Sequence, residues 1–261
     1  MMILTRALIQ VALLVVFAGS VQGNEFWGRK LPGQPTQFIL GYGSLINSSS
    51  RNATASQPIA AIPVRLSASF GYVRGWTIRS PSGFTALGLR RRGADESGKS
   101  INSVLYPVEG NDMAAFDARE EGYQRVEVPL DQIQAMSWQR LPEHGKIWVY
   151  IPVVPGQEPG VGLPLPSAAY PILQSYLDLV IEGGLEFGAD YAREIVASTV
   201  DCSAYWLNDR PLARRLGLHQ GLRQYRQAPR GLGPPLQGPP VRGTLCSEVP
   251  AANAPMSFRA S

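Results

Sequence analysis

Short apolar runs follow one another along the chain from position 37 to about position 153, and Gly, Pro and Ser separate them. They occupy positions 38–40, 62–66, 76–78, 86–89, 104–106, 126–128 and 147–153. Such short runs between turn-forming residues are typical of the strands of a mixed or closed sheet. We therefore predict an α+β fold built on a small mixed β-barrel with flanking helices.

Two stretches beyond position 168 show helical spacing instead. In the first, Gly183 and Gly184 are expected to end the helix, and its apolar face consists of Ala169, Ile172, Leu173, Tyr176, Leu177, Val180 and Ile181,. The second is predicted to bury Tyr191, Ala192, Ile195, Val196 and Thr199. Both faces are interpreted as core, and the two helices are expected to cover one face or end of the sheet.

The two ends of the chain depart from this pattern. Arg6 precedes an apolar run over positions 7–18, and small residues follow up to Gly23. That run is shorter than the roughly 20 residues of a membrane-spanning helix and is typical of a secretory signal peptide. The predicted organisation is 1–23 signal peptide, 24–36 linker, 37–226 one domain with a C-terminal helical extension, and 227–261 a disordered tail rich in Pro and Gly,. We expect an exported protein, periplasmic or secreted, with a retained anchor as the alternative.

Composition and charge argue against nucleic-acid binding and against a zinc site. The net charge is +4, and the only tight basic run, 90–92, lies beside acidic residues rather than among aromatic ones, so we expect no nucleic-acid binding,. Cys202 and Cys246 are too few for a zinc site; after export they either form a disulfide or remain as two thiols. His144 and His219 each stand alone in the sequence. No metal and no other cofactor is predicted.

The first candidate for chemistry is the glycine-punctuated loop that follows the run at 38–40. Its residues are Tyr42, Gly43, Ser44 and Leu45. Glycine permits backbone angles closed to other residues and close approach of a ligand, and successive N–H groups in such a turn form a concave site for an anion. The loop therefore predicts a substrate cradle, with the Ser44 hydroxyl as a further donor. A plain turn is the alternative interpretation.

The second candidate is a short helix, a Gly break and a strand over positions 116–128. It carries two adjacent carboxylates, Glu120 and Glu121. Neighbouring helical residues point about 100° apart, so only one of the two can face a cavity. A helix end with solvated charges is the alternative interpretation.

Taken together, the loop at 42–45, the turn from Phe116 to Glu120 and the downstream Tyr123 resemble the paired signatures of the γ-glutamylcyclotransferase-like superfamily. This superfamily includes cyclotransferases proper, ChaC-type glutathione-specific enzymes and γ-glutamylamine cyclotransferases. The stretch 175–211 is similar to an extension found in some members. The resemblance implies the γ-glutamylcyclotransferase-like fold, no cofactor or metal, and Glu120 as the catalytic residue. It further implies substrate contacts from Tyr42, Gly43, Ser44, Leu45 and Tyr123.

The activity that the resemblance implies is release of 5-oxoproline from a γ-glutamyl amine or peptide. The α-amine of the γ-glutamyl group attacks its own γ-carbonyl, and Glu120 serves as acid and base. The expected partner is a small γ-glutamyl substrate, with no stable membrane insertion after signal cleavage, and the oligomeric state is open. If the leaving group is larger, Arg74, Arg79 or the run 90–92 are candidates for binding a substrate carboxylate.

Two other function classes compete with this one. A binding module of the same fold would hold a γ-glutamyl or other amino-acid ligand without turnover. A serine hydrolase built on Ser44 would need a Gly-x-Ser-x-Gly turn and a positioned base such as His144 or His219, and residues 41–45 do not form that turn,.

Overall fold

The computed structural model describes residues 26–29, 31–94, 96 and 98–210. The predicted signal peptide, the predicted tail, Cys246 and His219 lie outside these residues. The described strands are β1 (Gln37–Gly41), β2 (Ile62–Leu66), β3 (Tyr72–Arg79), β4 (Thr85–Arg91), β5 (Ile101–Pro107), β6 (Tyr123–Glu127), β7 (Ile133–Ala135), β8 (Lys146–Pro152), β9 (Ile172–Leu173), β10 (Thr199–Val200) and β11 (Trp206–Leu207). The described α-helices are α1 (Ser48–Asn52), α2 (Asp112–Arg119), α3 (Gln174–Leu185) and α4 (Ala189–Ser198).

The strands form two mixed sheets. The six-stranded sheet has the order β6-β8-β1-β5-β2-β7, and the five-stranded sheet has the order β10-β3-β4-β9-β11. The predicted α+β fold class is confirmed, and the described strands make two sheets rather than one closed barrel. β1 lies inside the larger sheet, antiparallel to β5 and parallel to β8. The loop that leaves the end of β1 therefore starts from a strand held on both sides.

Both faces of the larger sheet are buried. Because side chains alternate along a strand, Phe38 and Leu40 of β1 join one apolar cluster while Ile39 joins the other,. On β8 the same alternation sends Val149 and Ile151 to one cluster and Tyr150 to the other. A strand buried on both faces must be apolar at nearly every position, which explains the continuous apolar run at 38–40.

The helix predicted from position 169 begins later than expected and continues further. Ile172 and Leu173 form β9, where Ile172 pairs with Thr85 of β4, and α3 then runs through Gly183 and Gly184. A Cβ on Gly183 would lie 2.5 Å from the backbone nitrogen of Asn47, and one on Gly184 would lie 2.6 Å from an Ile195 side-chain carbon. These glycines do not end the helix; they let α3 pack closely on the loop after β1 and on α4.

The start of α3 is capped from a distant part of the chain. Asp209 is buried, and its carboxylate accepts hydrogen bonds from the Ser175 backbone N–H (2.8 Å) and from the Ser175 hydroxyl. A carboxylate at a helix N-terminus satisfies free N–H groups and interacts favourably with the helix dipole. Arg210 adds an ion pair to Asp178 at 2.6 Å. The end of the described chain thus fixes the first turn of α3, which carries Tyr176.

No helix within the described part of the chain is both long and apolar enough to cross a membrane.

Candidate active site

The predicted cradle loop is fixed from the core side by two buried arginines. Arg74 of β3 donates from Nη1 to the Tyr42 carbonyl at 3.2 Å. Arg51 of α1 donates to the carbonyls of Leu45 and Ile46 at 3.0 and 3.1 Å. A turn of 3-10 helix, Ser44–Ile46, then leads into α1. The carbonyls of Tyr42 and Leu45, at the two ends of the loop, and that of the next residue, Ile46, are thus held by cations.

Glycine at position 43 suits both its backbone conformation and a close neighbour. Gly43 has φ −126° and ψ −126°, a combination outside the main regions open to other residues, although its φ is not positive,. A Cβ at this position would lie 3.2 Å from the hydroxyl of Tyr176. Tyr176 of α3 therefore packs directly over the loop, and a side chain at position 43 would displace it.

Glu120 lies at the C-terminal end of α2 and faces inward. Its N–H donates to the Phe116 carbonyl at 2.9 Å, so it continues the face of the helix on which Phe116 is fully buried,. The Glu120 side chain is 13% exposed. Glu121 is exposed to solvent. The chain then turns at Gly122, which has φ +89°, and enters β6 at Tyr123.

Burial raises the pKa of Glu120 above its usual range, and the guanidinium of Arg119 opposes that shift. The two side chains approach to 3.4 Å between Arg119 Nε and a Glu120 carboxylate oxygen. Desolvation of the charged carboxylate outweighs this long ion pair, which explains why a Glu with a cationic neighbour still has a raised pKa. The carboxylate is thereby moved toward the range in which it can both take and return a proton near neutral pH.

Arg119 joins the Glu120 turn to the cradle loop. Its Nη2 donates to the hydroxyls of Ser44 (3.2 Å) and Ser50 (2.8 Å), and its Nη1 donates to the Ser50 carbonyl (2.5 Å) and the Thr54 hydroxyl (2.7 Å). Arg119 and Ser44, which this hydrogen bond joins, are 75 positions apart in the sequence. The geometry therefore brings together the two motifs that the sequence predicts as one site.

Five tyrosine side chains share the electrostatic field of Glu120, namely Tyr42, Tyr106, Tyr123, Tyr150 and Tyr176. Burial raises the pKa of each tyrosine, that of Tyr176 to about 12, and the Glu120 carboxylate raises each further. All five hydroxyls are therefore neutral near pH 7. The surroundings of the carboxylate offer neutral hydrogen-bonding groups and one cation, Arg119.

The positions of the predicted substrate residues differ in detail. Tyr42 is buried and donates from its hydroxyl to the Tyr150 carbonyl at 2.8 Å, so its side chain anchors the loop to β8. Leu45 is also buried, whereas Ser44 and Tyr123 are half-buried beside Arg119 and Glu120. Gly43 lies under Tyr176. Tyr42, Gly43, Ser44 and Tyr123 are thus the members of the predicted set that lie near Glu120, Arg119 or Tyr176, and Leu45 packs in the core.

The arginines proposed to bind a substrate carboxylate are engaged elsewhere. Arg74 is fully buried, with no exposed surface for a substrate. Arg79 stacks its guanidinium over the Tyr170 ring at 4.9 Å. Arg90 forms ion pairs with Glu96 (2.5 Å) and Asp201 (2.6 Å). Burial excludes Arg74 as a substrate contact, and Arg79 and Arg90 have structural partners. In the rest of the run, Arg91 stacks over the Tyr72 ring and Arg92 donates to the Ala68 carbonyl.

Among the described residues, no base lies beside Ser44 for the serine hydrolase interpretation, and the second candidate base, His219, lies outside them. The Ser44 hydroxyl accepts a hydrogen bond from Arg119, a cation that cannot remove a proton from it,. His144 instead lies 3.4 Å from the Gln34 side-chain nitrogen, in the loop before β8. Within the described residues, no group of three or more His, Cys, Asp or Glu is placed to hold a metal ion.

Arg119 and Tyr176 are functional candidates that sequence reasoning missed. Arg119 stood in the sequence as one charged residue among several around Glu120, and Tyr176 as one position of an apolar helical face. The adjacency of Arg119 to Glu120 was the available signal for the first. No local pattern distinguishes Tyr176 from its neighbours, because its role depends on α3 packing over Gly43.

Comparisons of the sequence with protein-family models and with curated proteins find no match. Comparison of the structure finds solved relatives. A structure described as a gamma-glutamyl cyclotransferase is 13% identical, with a TM-score of 0.45 over 62% of this chain and 86% of that one. An uncharacterized protein from Homo sapiens is 14% identical, with a TM-score of 0.43 over 64% of this chain and 90% of that one.

A third neighbour is a gamma-glutamyl cyclotransferase specific to glutathione from yeast. It is 18% identical, with a TM-score of 0.35 over 49% of this chain and 73% of the yeast chain. Solved structures of the superfamily that the two motifs resemble are thus among the structural neighbours of this protein. Identities this low do not carry an activity from one chain to another, so the function is argued from the site itself.

Proposed function

We propose that this protein is a γ-glutamylcyclotransferase-type enzyme that releases 5-oxoproline from a γ-glutamyl amine or peptide. The observation that supports it best is the pairing of Glu120 with the cradle loop. A carboxylate that is 13% exposed lies beside Arg119, and Arg119 donates to Ser44 of that loop. One group able to transfer protons and one loop able to hold a polar substrate therefore border the same space.

In the proposed reaction the nucleophile belongs to the substrate. The α-amine of a γ-glutamyl group has a reference pKa of roughly 7.7–8.0, so it is mostly protonated near neutral pH and must lose a proton to react. Glu120 takes that proton. The amine nitrogen then bonds to the γ-carbonyl carbon and closes a five-membered ring. The γ-carbon to leaving-nitrogen bond breaks, the ring nitrogen gives up its second proton to solvent, and Glu120 returns the first proton to the leaving nitrogen, so that 5-oxoproline and the free amine are the products.

The raised pKa of Glu120 suits both halves of this proton transfer. A carboxylate with an ordinary pKa is a weak base toward an ammonium and stays unprotonated afterwards, when an acid is required. Burial raises the pKa of Glu120, and Arg119 opposes the rise. Burial and Arg119 together support Glu120 as both the acid and the base.

The cradle loop is proposed to hold the γ-glutamyl group folded. Backbone N–H groups around Gly43, Ser44 and Leu45 would bind its α-carboxylate or polarise the γ-carbonyl as negative charge develops on the oxygen. Intramolecular attack gains much of its acceleration from such positioning. The arginines that fix the loop carbonyls support a preorganised cradle, since they need no substrate to set its shape.

The test is an assay for 5-oxoproline with a panel of γ-glutamyl compounds, including glutathione, a γ-glutamyl dipeptide and a γ-glutamyl amine. The parent protein is expected to release 5-oxoproline from at least one of them. Glu120→Gln should lower kcat/KM by about 100- to 10,000-fold, the range of general acid–base catalysis. The matched control is Glu121→Gln, which alters the neighbouring exposed carboxylate and should stay within about twofold of the parent.

Three outcomes would overturn parts of this proposal. A folded Glu120→Gln protein with parent activity would remove Glu120 from the mechanism. Equal losses at both glutamates would mean that the turn presents them differently. Calorimetric binding of γ-glutamyl compounds with no product would favour the idle binding module. N-terminal sequencing of protein from the medium or periplasm checks the accompanying proposal of export, with cleavage after Ser20 or Gly23 expected.

A further inference from the structure

A cavity of about 290 Å³ lies apart from the cradle loop and from the turn that carries Glu120. The segment before β1 and the segment after β7 line it, through Trp27, Gly28, Arg29, Trp138, Gln139 and Arg140. Two indole rings and two guanidinium groups therefore surround the cavity, and no carboxylate lines it. This composition differs from that of the Glu120 site and suits a different ligand.

Trp138 is more exposed than any other large apolar side chain in the described part of the chain. It is 85% exposed, and the next of these side chains, Leu165, is 58% exposed. Trp27 is instead buried, with its ring 5.7 Å from the ring of Phe38. An indole that remains in water beside a cavity offers a flat apolar surface for the ring of a ligand to cover.

The guanidinium groups of Arg29 and Arg140 have no partner within the described ranges. Every other arginine there has an ion pair, a hydrogen bond or a stacked ring. Both side chains of the cavity are exposed and keep their donors for a ligand,. The two described arginines without a partner thus line the same cavity. The planar fork of a guanidinium group fits a carboxylate, which a ligand would supply.

Gly28 joins the two segments that line the cavity. It has φ +70°, in a turn that the Arg29 N–H closes by donating to the Phe26 carbonyl at 3.0 Å. A Cβ at position 28 would lie 2.5 Å from the Cβ of Arg140. The stem of Arg140 therefore packs on the Gly28 backbone, at a position where only glycine meets both requirements. This contact holds Arg29 and Arg140 on neighbouring walls of the cavity.

We propose that this cavity binds a small ring-bearing carboxylate. The ring of the ligand stacks on Trp138, and its carboxylate pairs with Arg29 and Arg140. Aromatic acids and sugar acids share this chemistry, since both have an apolar ring face and a carboxylate. The volume, about 290 Å³, is at the lower end of the roughly 300–1,000 Å³ of ligand pockets, so it suits one or two rings,. The site is additional to the one proposed for 5-oxoproline release.

The test is a calorimetric titration of the purified protein at low ionic strength with 2-naphthoate and with galacturonate. Each acid is compared with its neutral counterpart, 2-naphthalenemethanol or galactose. At least one acid is expected to bind with a dissociation constant below about 1 mM, and its neutral counterpart about tenfold more weakly. The acid that binds shows whether the source is aromatic or a sugar. Binding of neither acid, or equal binding of acid and neutral counterpart, would overturn the proposal.

Three substitutions test the lining residues. Arg29→Gln, Arg140→Gln and Trp138→Ala should each raise the dissociation constant of the acid about tenfold, through loss of a charge-assisted hydrogen bond or of a stacked ring. The melting temperature should stay at the parent value, because all three side chains are exposed,. The matched control is Arg193→Gln, at an exposed arginine that pairs with Asp190 of α4, and it should bind as the parent does. Unchanged binding in the arginine variants or in Trp138→Ala would contradict the assignment.

Glu120→Gln separates this cavity from the proposed active site. The variant should bind the acid as tightly as the parent, since Glu120 does not line the cavity. If it loses binding as Arg140→Gln does, the acid occupies the Glu120 site and the proposal is overturned. A parent that releases no 5-oxoproline would contradict the proposed function, and the titration would still decide whether this cavity binds the acid.

Discussion

Of the three arginines that contact the cradle loop, Arg74 and Arg119 differ most in their surroundings. Arg74 binds it from the core through the Tyr42 carbonyl, and Arg119 binds it from the side of α2 through the Ser44 hydroxyl. Arg74 is fully buried and donates its hydrogen bonds to neutral oxygens only, on Tyr42, Asn102, Ile195, Ser198 and Thr199. The Arg119 side chain is 25% exposed and also meets a carboxylate, that of Glu120.

These surroundings indicate different roles: Arg74 stabilises the fold, and Arg119 changes the pKa of Glu120. Burial lowers the pKa of Arg74 to about 10, which leaves it charged near neutral pH inside a shell of dipoles,. It influences no proposed acid or base. Arg119 acts on the pKa of Glu120 and fixes the distance between Glu120 and the loop. Substitutions at Arg74 should therefore change stability first, and substitutions at Arg119 should change activity first.

The largest expected effect is the loss of stability in Arg74→Met. Methionine keeps much of the volume but leaves several buried acceptors without a donor, so the free energy of unfolding should fall by about 3–5 kcal/mol. Urea unfolding followed by circular dichroism measures it. The control is Arg91→Met, since Arg91 is 49% exposed and stacks on Tyr72; its change should stay within about 0.5 kcal/mol,. Equal stabilities of the two variants would show that Arg74 does not organise the core.

A smaller effect, on activity, is expected in Arg119→Gln. The variant loses the connection between Glu120 and Ser44, so kcat/KM for 5-oxoproline release should fall by about 10- to 100-fold through lost positioning. The matched control is Arg125→Gln. Arg125 pairs with Asp117 at 3.3 Å and stacks over Trp148 at 5.3 Å, away from the cradle loop. Similar losses in the two variants would mean that positive charge near α2, and not the connection made by Arg119, supports activity.

The sequence was sufficient for those features that local patterns control. Short apolar runs between Gly, Pro and Ser located most strands. The prediction that only one of the adjacent glutamates is sheltered also agrees with the structure, in which Glu120 is 13% exposed and Glu121 is exposed to solvent. The division of strands into two sheets, the late start of α3 and the small strands β7, β10 and β11 were not predicted. Their positions are set by packing between distant segments, for which a short run carries no signal.

The candidate site shows the same limit. The site residues Tyr42, Gly43, Ser44, Leu45, Glu120 and Tyr123 followed from two motifs, whereas Arg119 and Tyr176 depend on contacts across the fold. Arg74 was a candidate for a substrate carboxylate because an isolated arginine in a sequence reads as exposed. Its burial follows from β3 lying under the loop and α4, a tertiary fact.

The smallest of these effects gives the most direct test of the role of Glu120: the pH dependence of kcat/KM in the parent and in Arg119→Gln. If unprotonated Glu120 is the base, activity rises with pH through its pKa, which burial places above the ordinary range near 4.3 for Glu,. Arg119 lowers that pKa, so its removal should move the rising limb to higher pH. In Arg125→Gln the limb should stay in place. A rising limb that does not move in Arg119→Gln would contradict the assignment of Glu120 as the titrating base.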